Sequence, residues 1–295
     1  MKKIKQYLSV FLVFVMAFVL WQPLTVKASV TRDLTLYVGE SLSFTTFSNV
    51  KSASSSDNKV VKVSASKKDK MYTDILAKST GKSTVKIKTD RETVNFKITV
   101  KPLDMRVKLV AVSDGYVTFS IDNQTKQTFD KIALTYSLKE SKDSVVKEDT
   151  EIVYDILAKN KSYATVYVGS SQAELINKSV STVKVSAVAH DPGEVYTDVS
   201  DSVKATVKNE KDKENSVEFN VAVKNSTNYN VEGCYYVKIY NSKNKLIGVD
   251  RCSIYLSRKS TNTYTSGYIS KYSYPEYDHF EIVVNAYYTE EANGW

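Results

Sequence analysis

The chain has 295 residues, with 41 Lys and Arg against 33 Asp and Glu and a formal net charge of +8. It is too long for one small β-domain, and beyond residue 28 it has no apolar run long enough for a membrane-spanning helix. By segment the charge is +4 over residues 1–28, +7 over 29–101, −2 over 102–209 and −1 over 210–295, so the mature protein carries its excess of lysine at one end.

Lys2, Lys3 and Lys5 precede an apolar run from Leu8 to Trp21, and Val26-Lys27-Ala28 supplies small or apolar residues at a cleavage position. This is the pattern of a secretory signal peptide over residues 1–28, with cleavage expected after Ala28. The run falls short of the ~20 residues that a permanent helical span needs. No cysteine near the site could carry a lipid. The mature chain, 29–295, is therefore expected to be secreted, with no stable membrane span after cleavage.

In the first module, 30–101, Leu34, Leu36 and Val38 alternate with Thr35 and Tyr37, and Val94, Phe96, Ile98 and Val100 alternate with Asn95, Lys97 and Thr99. A period of two marks half-buried strands. Gly39-Glu40 breaks the first run, residues 54–59 form a polar loop, and Gly81 tolerates positive φ between two further runs. Val38-Gly39-Glu40, then Ser55-Ser56-Asp57 leading to Val60 and Val63, then Ala77 with Gly81 and Val85 follow one another in a recognisable order. On these motifs residues 34–100 resemble the bacterial immunoglobulin-like domain of group 2, which implies an immunoglobulin-like β-sandwich. One position departs: Ala53 stands where that family has a core Trp, leaving volume for Phe44, Phe47 or Phe96. The basic charge of this module suits an anionic wall polymer or an acidic surface, and it equally suits plain solubility. Nucleic acid is not expected as a partner, because the compartment is wrong and no recognition motif is present.

Pro102 ends the first module, since proline cannot donate to a ladder. A second module is expected over 104–208, with strands at 106–112, 117–121, 132–138, 145–154, 163–168, 183–189 and 199–207, and a short helix between Ser171 and Asn177. Residues 208–215 are almost wholly polar and read as a linker. A third module, 215–290, repeats the second. Val117-Thr118-Phe119 recurs as Val217-Glu218-Phe219, Asn123-Gln124-Thr125 as Asn225-Ser226-Thr227, and Val183, Val185 and Ala187 as Ile282, Val284 and Ala286. The pair reads as a duplicated sandwich and is similar, at the level of pattern, to tandem secreted sandwiches of the FxLYD type.

Both cysteines fall in the third module. A turn centred on Lys243 would oppose Val237 to Val249, Ile239 to Ile247 and Cys234 to Cys252, predicting a cross-strand disulfide between Cys234 and Cys252. Where the second module has its helix, the third has Lys271-Tyr272-Ser273-Tyr274-Pro275-Glu276-Tyr277, preceded by Tyr264 and Tyr268. Pro275 excludes a regular helix, so the stretch reads as a tyrosine-rich loop. Tyr264, Tyr268, Tyr272, Tyr274 and Tyr277 are the candidate binding residues for protein or glycan, packing being the commoner role of such tyrosines.

No nucleophile elbow, phosphate loop or zinc helix is present. His190 and His279 sit at strand borders, where loop or strand-edge histidines are the default, and Asp191, Glu194, Asp198 and Asp201 read as a solvated turn ahead of a Ca²⁺ loop. No cofactor and no metal is expected. The chain thus reads as all-β, with tandem immunoglobulin-like β-sandwich modules. The expected function is non-catalytic binding at the cell envelope, with non-covalent wall association and contact to wall polymer, extracellular protein or glycan. The rival is a structural spacer without a ligand, and an enzyme is disfavoured.

Overall fold

The computed structural model describes residues 28–66 and 69–291, so the leader expected at the N-terminus lies outside the described residues apart from Ala28. The fold is almost entirely β. Its first sandwich has one sheet in the order β1-β7-β6-β3, from Ala28–Tyr37, Glu92–Lys101, Gly81–Thr89 and Val50–Ser55. The facing sheet is β2-β5-β4, from Ser41–Thr45, Tyr72–Ala77 and Val61–Ala65. β1 runs parallel to β7, which sets Leu34 opposite Ile98 and Leu36 opposite Val100, and all four are buried. Phe44 lies edge-on against Phe96, ring centroids 4.8 Å apart, in the same apolar cluster as Ala53. Phe47, also expected as core filler, is 95% exposed. Gly81 has φ +145°, and a Cβ there would meet Val60 at 3.0 Å, so the turn requires glycine twice over.

The duplication is explicit in the strand order. The first copy has sheets β8-β9-β12 and β11-β10-β13, with β8 Met105–Ser113, β9 Tyr116–Asn123, β10 Phe129–Lys139, β11 Val145–Ile156, β12 Lys161–Tyr167 and β13 Thr182–Ala189. After β14 (Glu194–Asp198), the second copy has β15 Val203–Asp212, β16 Ser216–Asn225, β17 Val231–Asn241, β18 Leu246–Leu256, β19 Thr261–Ser270 and β20 Tyr277–Glu291. Its sheets are β15-β16-β19 and β14-β20-β17-β18, which match the first copy strand for strand with β14 added at an edge. Val183 and Val185 oppose Tyr136 and Leu134, as Ile282 and Val284 oppose Val237 and Tyr235. The Asn-x-Thr recurrence has one job in both copies. Asn123 Nδ2 donates to the carbonyls of Gln127 and Leu157 and its Oδ1 accepts from Thr125, while Asn225 does the same with Tyr229, Ser257 and Thr227. Each asparagine thereby closes its turn from inside, where backbone polar groups need partners.

The expected boundary between the copies moves. Residues 208–215 are not a linker: β15 runs through Asp212, and Lys213 N–H bonds to the Ser216 carbonyl in the turn to β16. The strand placed at 199–207 belongs to the second copy, as β15 starting at Val203. The helix is real but short. It forms α1, Ser170–Glu174, whose Ala173 is buried, while Leu175 just after it is half exposed.

The cysteine register is corrected by one residue. Tyr240 opposes Leu246 near the turn, but a bulge leaves Ile247 unpaired, and beyond it Ile239 opposes Gly248 and Tyr235 opposes Cys252. β10–β11 carries the equivalent bulge at Val146. Because side chains alternate with period two, a one-residue shift sends the cysteines to opposite faces of the sheet. Cys252 packs into the core of the second copy and Cys234 faces outward to its neighbour; both are free thiols, and the predicted disulfide is absent.

The outward face of β17 is buried because the two copies stack sheet on sheet. Tyr163 of the first copy meets Cys234, Tyr236 and Val249 of the second in an apolar cluster, with the Tyr163 and Tyr236 rings edge to face at 5.3 Å. Polar bonds frame that cluster. Thr165 donates to the Val249 carbonyl at 2.7 Å, Asn285 to the Lys161 carbonyl at 3.0 Å, and Arg251 and Tyr287 converge on Asp155 at 2.6 and 2.9 Å. The first sandwich joins at the other side: Tyr37 inserts edge-on against Phe129, 5.4 Å between centroids, and Glu40 bridges to Val188 of β13. The last strand of each copy thus meets chain that precedes the copy: Glu40 bridges to β13 at one residue, and β14 pairs along β20.

Candidate functional site

The outer face of the four-stranded sheet of the first sandwich is built by alternation alone. Val85, Ile87, Val94, Phe96 and Ile98 point to the core, so Lys82, Thr84, Lys86 and Lys88 of β6 and Asn95, Lys97 and Thr99 of β7 must point out. Register completes the surface: Lys97 stands opposite Thr84 and Asp33, Lys86 opposite Asn95 and Ser54, and Lys88 opposite Thr93 and Ser52. Asp33 is the single carboxylate at these outward strand positions, and Lys82, Lys86, Lys88 and Lys97 form no ion pair among the described residues. Lys86 and Lys88 lie roughly 7 Å apart along one strand, and Lys97, opposite Thr84, is diagonal to both Lys82 and Lys86 at roughly 8 Å, so each lysine has another within about a Debye length. A shallow recess of about 330 Å³ between Asp33, Lys82, Thr84, Lys97 and Thr99 gives the face some relief. Ammonium groups flanked by hydroxyls suit phosphoryl or carboxylate oxygens, which take both a charge and a hydrogen bond.

The five candidate tyrosines do not form one surface. Tyr264 packs against Tyr235 at 5.9 Å and Tyr277 is half buried beneath Lys271. Tyr274 is buried at 6% exposure, packed so closely over Gly248 that a Cβ there would lie 2.2 Å from the ring. Burial lifts the Tyr274 hydroxyl well above the ordinary tyrosine pKa. Tyr268 and Tyr272 remain, 57% and 71% exposed. Tyr268 borders a recess on β15, β16 and β19 where the ladders are bulged, beside Asn209, Lys211 and Phe219. Tyr272 borders a cleft of about 530 Å³ between the two copies, together with Pro275, Glu276, Lys178 and Lys245. Lys178, Lys245 and the sandwich-face lysines escaped the sequence reading as individual residues, although the alternation in 81–100 was enough to place the latter.

His190 follows β13 directly, at a strand border as expected, but it is buried. Its side chain is 6% exposed at the joint between the first sandwich and the first copy, where Nδ1 bonds to the buried Glu40. His279 is exposed beside Asp278. The acidic turn is used for local bonding: Asp191 accepts from Gly193 N–H and Asp198 from Ser200 N–H. Among the described residues no three His, Cys, Asp or Glu side chains gather as a metal group. No described helix is long and apolar enough to cross a membrane. No protein-family model matches the chain, and no curated protein matches it.

Proposed function

We propose that this is a secreted, non-catalytic binding protein of the cell envelope. Its first sandwich holds an anionic wall polymer non-covalently, and its packed copies contact an extracellular protein or glycan. The observation that carries the first half is the sheet face on which Lys82, Lys86, Lys88 and Lys97 stand among hydroxyls with one carboxylate. A single exposed contact of this kind is worth about 1 kcal/mol in water. Several along one polymer act together, because each bound phosphate raises the effective concentration of the next. The same proposal takes the first sandwich as a bacterial immunoglobulin-like domain of group 2, for which its seven strands in two sheets offer support, and the copies as FxLYD-type sandwiches.

The rival role, a spacer without a ligand, gains reach from modules set end to end. Here the two copies lie face to face with partly buried hydrogen bonds between them, which sacrifices length for rigidity. Co-sedimentation of residues 29–295 with purified cell-wall material, intact and stripped of its anionic polymers, tests the proposal. Binding to the intact wall alone is expected; equal binding to both preparations, or none, counts against it.

A further inference from the structure

Duplication makes the connection from β12 to β13 in the first copy equivalent to that from β19 to β20 in the second, and these connections are where the copies differ most. One holds α1 and Lys178; the other holds Tyr272, Pro275 and Glu276. Stacking of one copy on the other brings both to the same place, as opposite walls of the 530 Å³ cleft. That volume lies within the ~300–1,000 Å³ typical of small-molecule sites. The two segments free to diverge without disturbing the sandwich core are therefore the two that face each other across a recess.

The chemistry of the walls selects the ligand. Lys178 and Lys245 are opposed by Asp114, Glu174 and Glu276, so neither a strongly acidic nor a strongly basic ligand avoids like charge. Hydroxyl groups, which donate to carboxylates and accept from ammonium groups, satisfy both. Tyr272, 71% exposed, and Pro275 add flat apolar faces suited to the C–H faces of a sugar ring. The walls are held in advance: Asn241 donates to Glu276 at 3.0 Å, Lys178 to the Val110 carbonyl at 3.1 Å, and buried Tyr274 pins the loop. Burial and the neighbouring Lys245 both lower the Lys178 pKa, as crowding of the two ammonium groups requires. Preorganised walls spare a ligand the cost of ordering them.

We infer that the cleft between the two copies binds a neutral oligosaccharide, with Tyr272 as its stacking platform. This gives the glycan part of the proposed function a specific site, and it stands apart from the lysine face of the first sandwich. Calorimetric titration of residues 29–295 with maltohexaose, cellohexaose and chitohexaose tests it. Saturable binding of at least one is expected, weakened tenfold or more by Tyr272→Ala and by Lys245→Gln, both at exposed positions. It should be unchanged when Lys82, Lys86, Lys88 and Lys97 are all replaced by Gln, so failure of wall-polymer binding leaves this result readable. Absence of binding by all three sugars, or binding indifferent to Tyr272→Ala, overturns the inference.

Discussion

Glu40 in the turn after β1 accepts a hydrogen bond from Nδ1 of His190, 150 residues away, and both side chains are buried at the joint of the first sandwich with the first copy. Glu40 also accepts the Tyr37 N–H at 2.8 Å and the His190 N–H at 3.2 Å. The Val-Gly-Glu turn is therefore a coupling between domains as well as a strand end. Removing the Glu40 carboxylate leaves the Tyr37 and His190 N–H groups and the His190 ring without their acceptor, at a cost of about 3 kcal/mol. Glu40→Ala should lower stability by that amount in denaturant unfolding and loosen the first sandwich from the rest in small-angle scattering. Unaltered stability would show that the pair does not hold the joint.

The thiols give a second prediction. Burial pushes the Cys234 thiol pKa up, and the bulge at Ile247 keeps Cys252 on the other face. Protein denatured without reductant should take up two alkyl groups by mass spectrometry, while Cys234 resists alkylation in the native state. Recovery of a linked 234–252 peptide would contradict the register.

Asp130 supplies a pH test. Burial raises its carboxyl pKa, and the hydroxyl donated by Tyr196 only partly offsets this. A raised acid pKa means the native state holds the proton more tightly. The group thus contributes most below its unfolded value of ~3.9, and that contribution is lost as pH rises through the folded value. Asp130→Asn keeps an acceptor for Tyr196 and removes the charge. Thermal unfolding should find the variant at least as stable as the parent at neutral pH, with its advantage shrinking in acid; a less stable variant at neutral pH would sink this assignment.

The asparagine clasps should count singly and equally. Asn225→Ala strands the Tyr229 and Ser257 carbonyls and the Thr227 N–H, costing about 2 kcal/mol, and Asn225→Asp cannot restore the donors. Asn123→Ala should cost a similar amount. The two turns share no partners, so in urea unfolding the double variant should show the sum, and a marked departure would mean the copies are coupled there.

Much of this architecture was legible from alternation. Strands such as 94–100 and 132–138 have one wet face, and period two then names the buried residues. Legibility failed where a surface is covered by something distant in sequence. Cys234-Tyr235-Tyr236-Val237 is buried on both sides, and its unbroken apolar run was the available sign that the outer face is covered. The disulfide failed for a local reason, since one bulged residue is invisible to turn-centred counting yet reverses every side chain beyond it. The boundary at 208–215 failed because a charged strand at a sheet edge has the composition of a linker. The candidate tyrosines scattered because strand position, core packing and an inter-copy cleft each claimed some of them, whereas the lysine face is a direct consequence of the core pattern beneath it.

The most direct measurement is the affinity of residues 29–295 for a soluble anionic wall polymer across a salt series, for the parent and for a variant with Lys82, Lys86, Lys88 and Lys97 replaced by Gln. The parent should bind at low salt and weaken steeply as the Debye length falls from about 30 Å at 0.01 M toward 8 Å at 0.15 M, and the variant should lose at least tenfold in affinity and most of its salt dependence. Equal affinity and equal salt dependence in the two proteins would contradict the lysine face as the site of wall attachment.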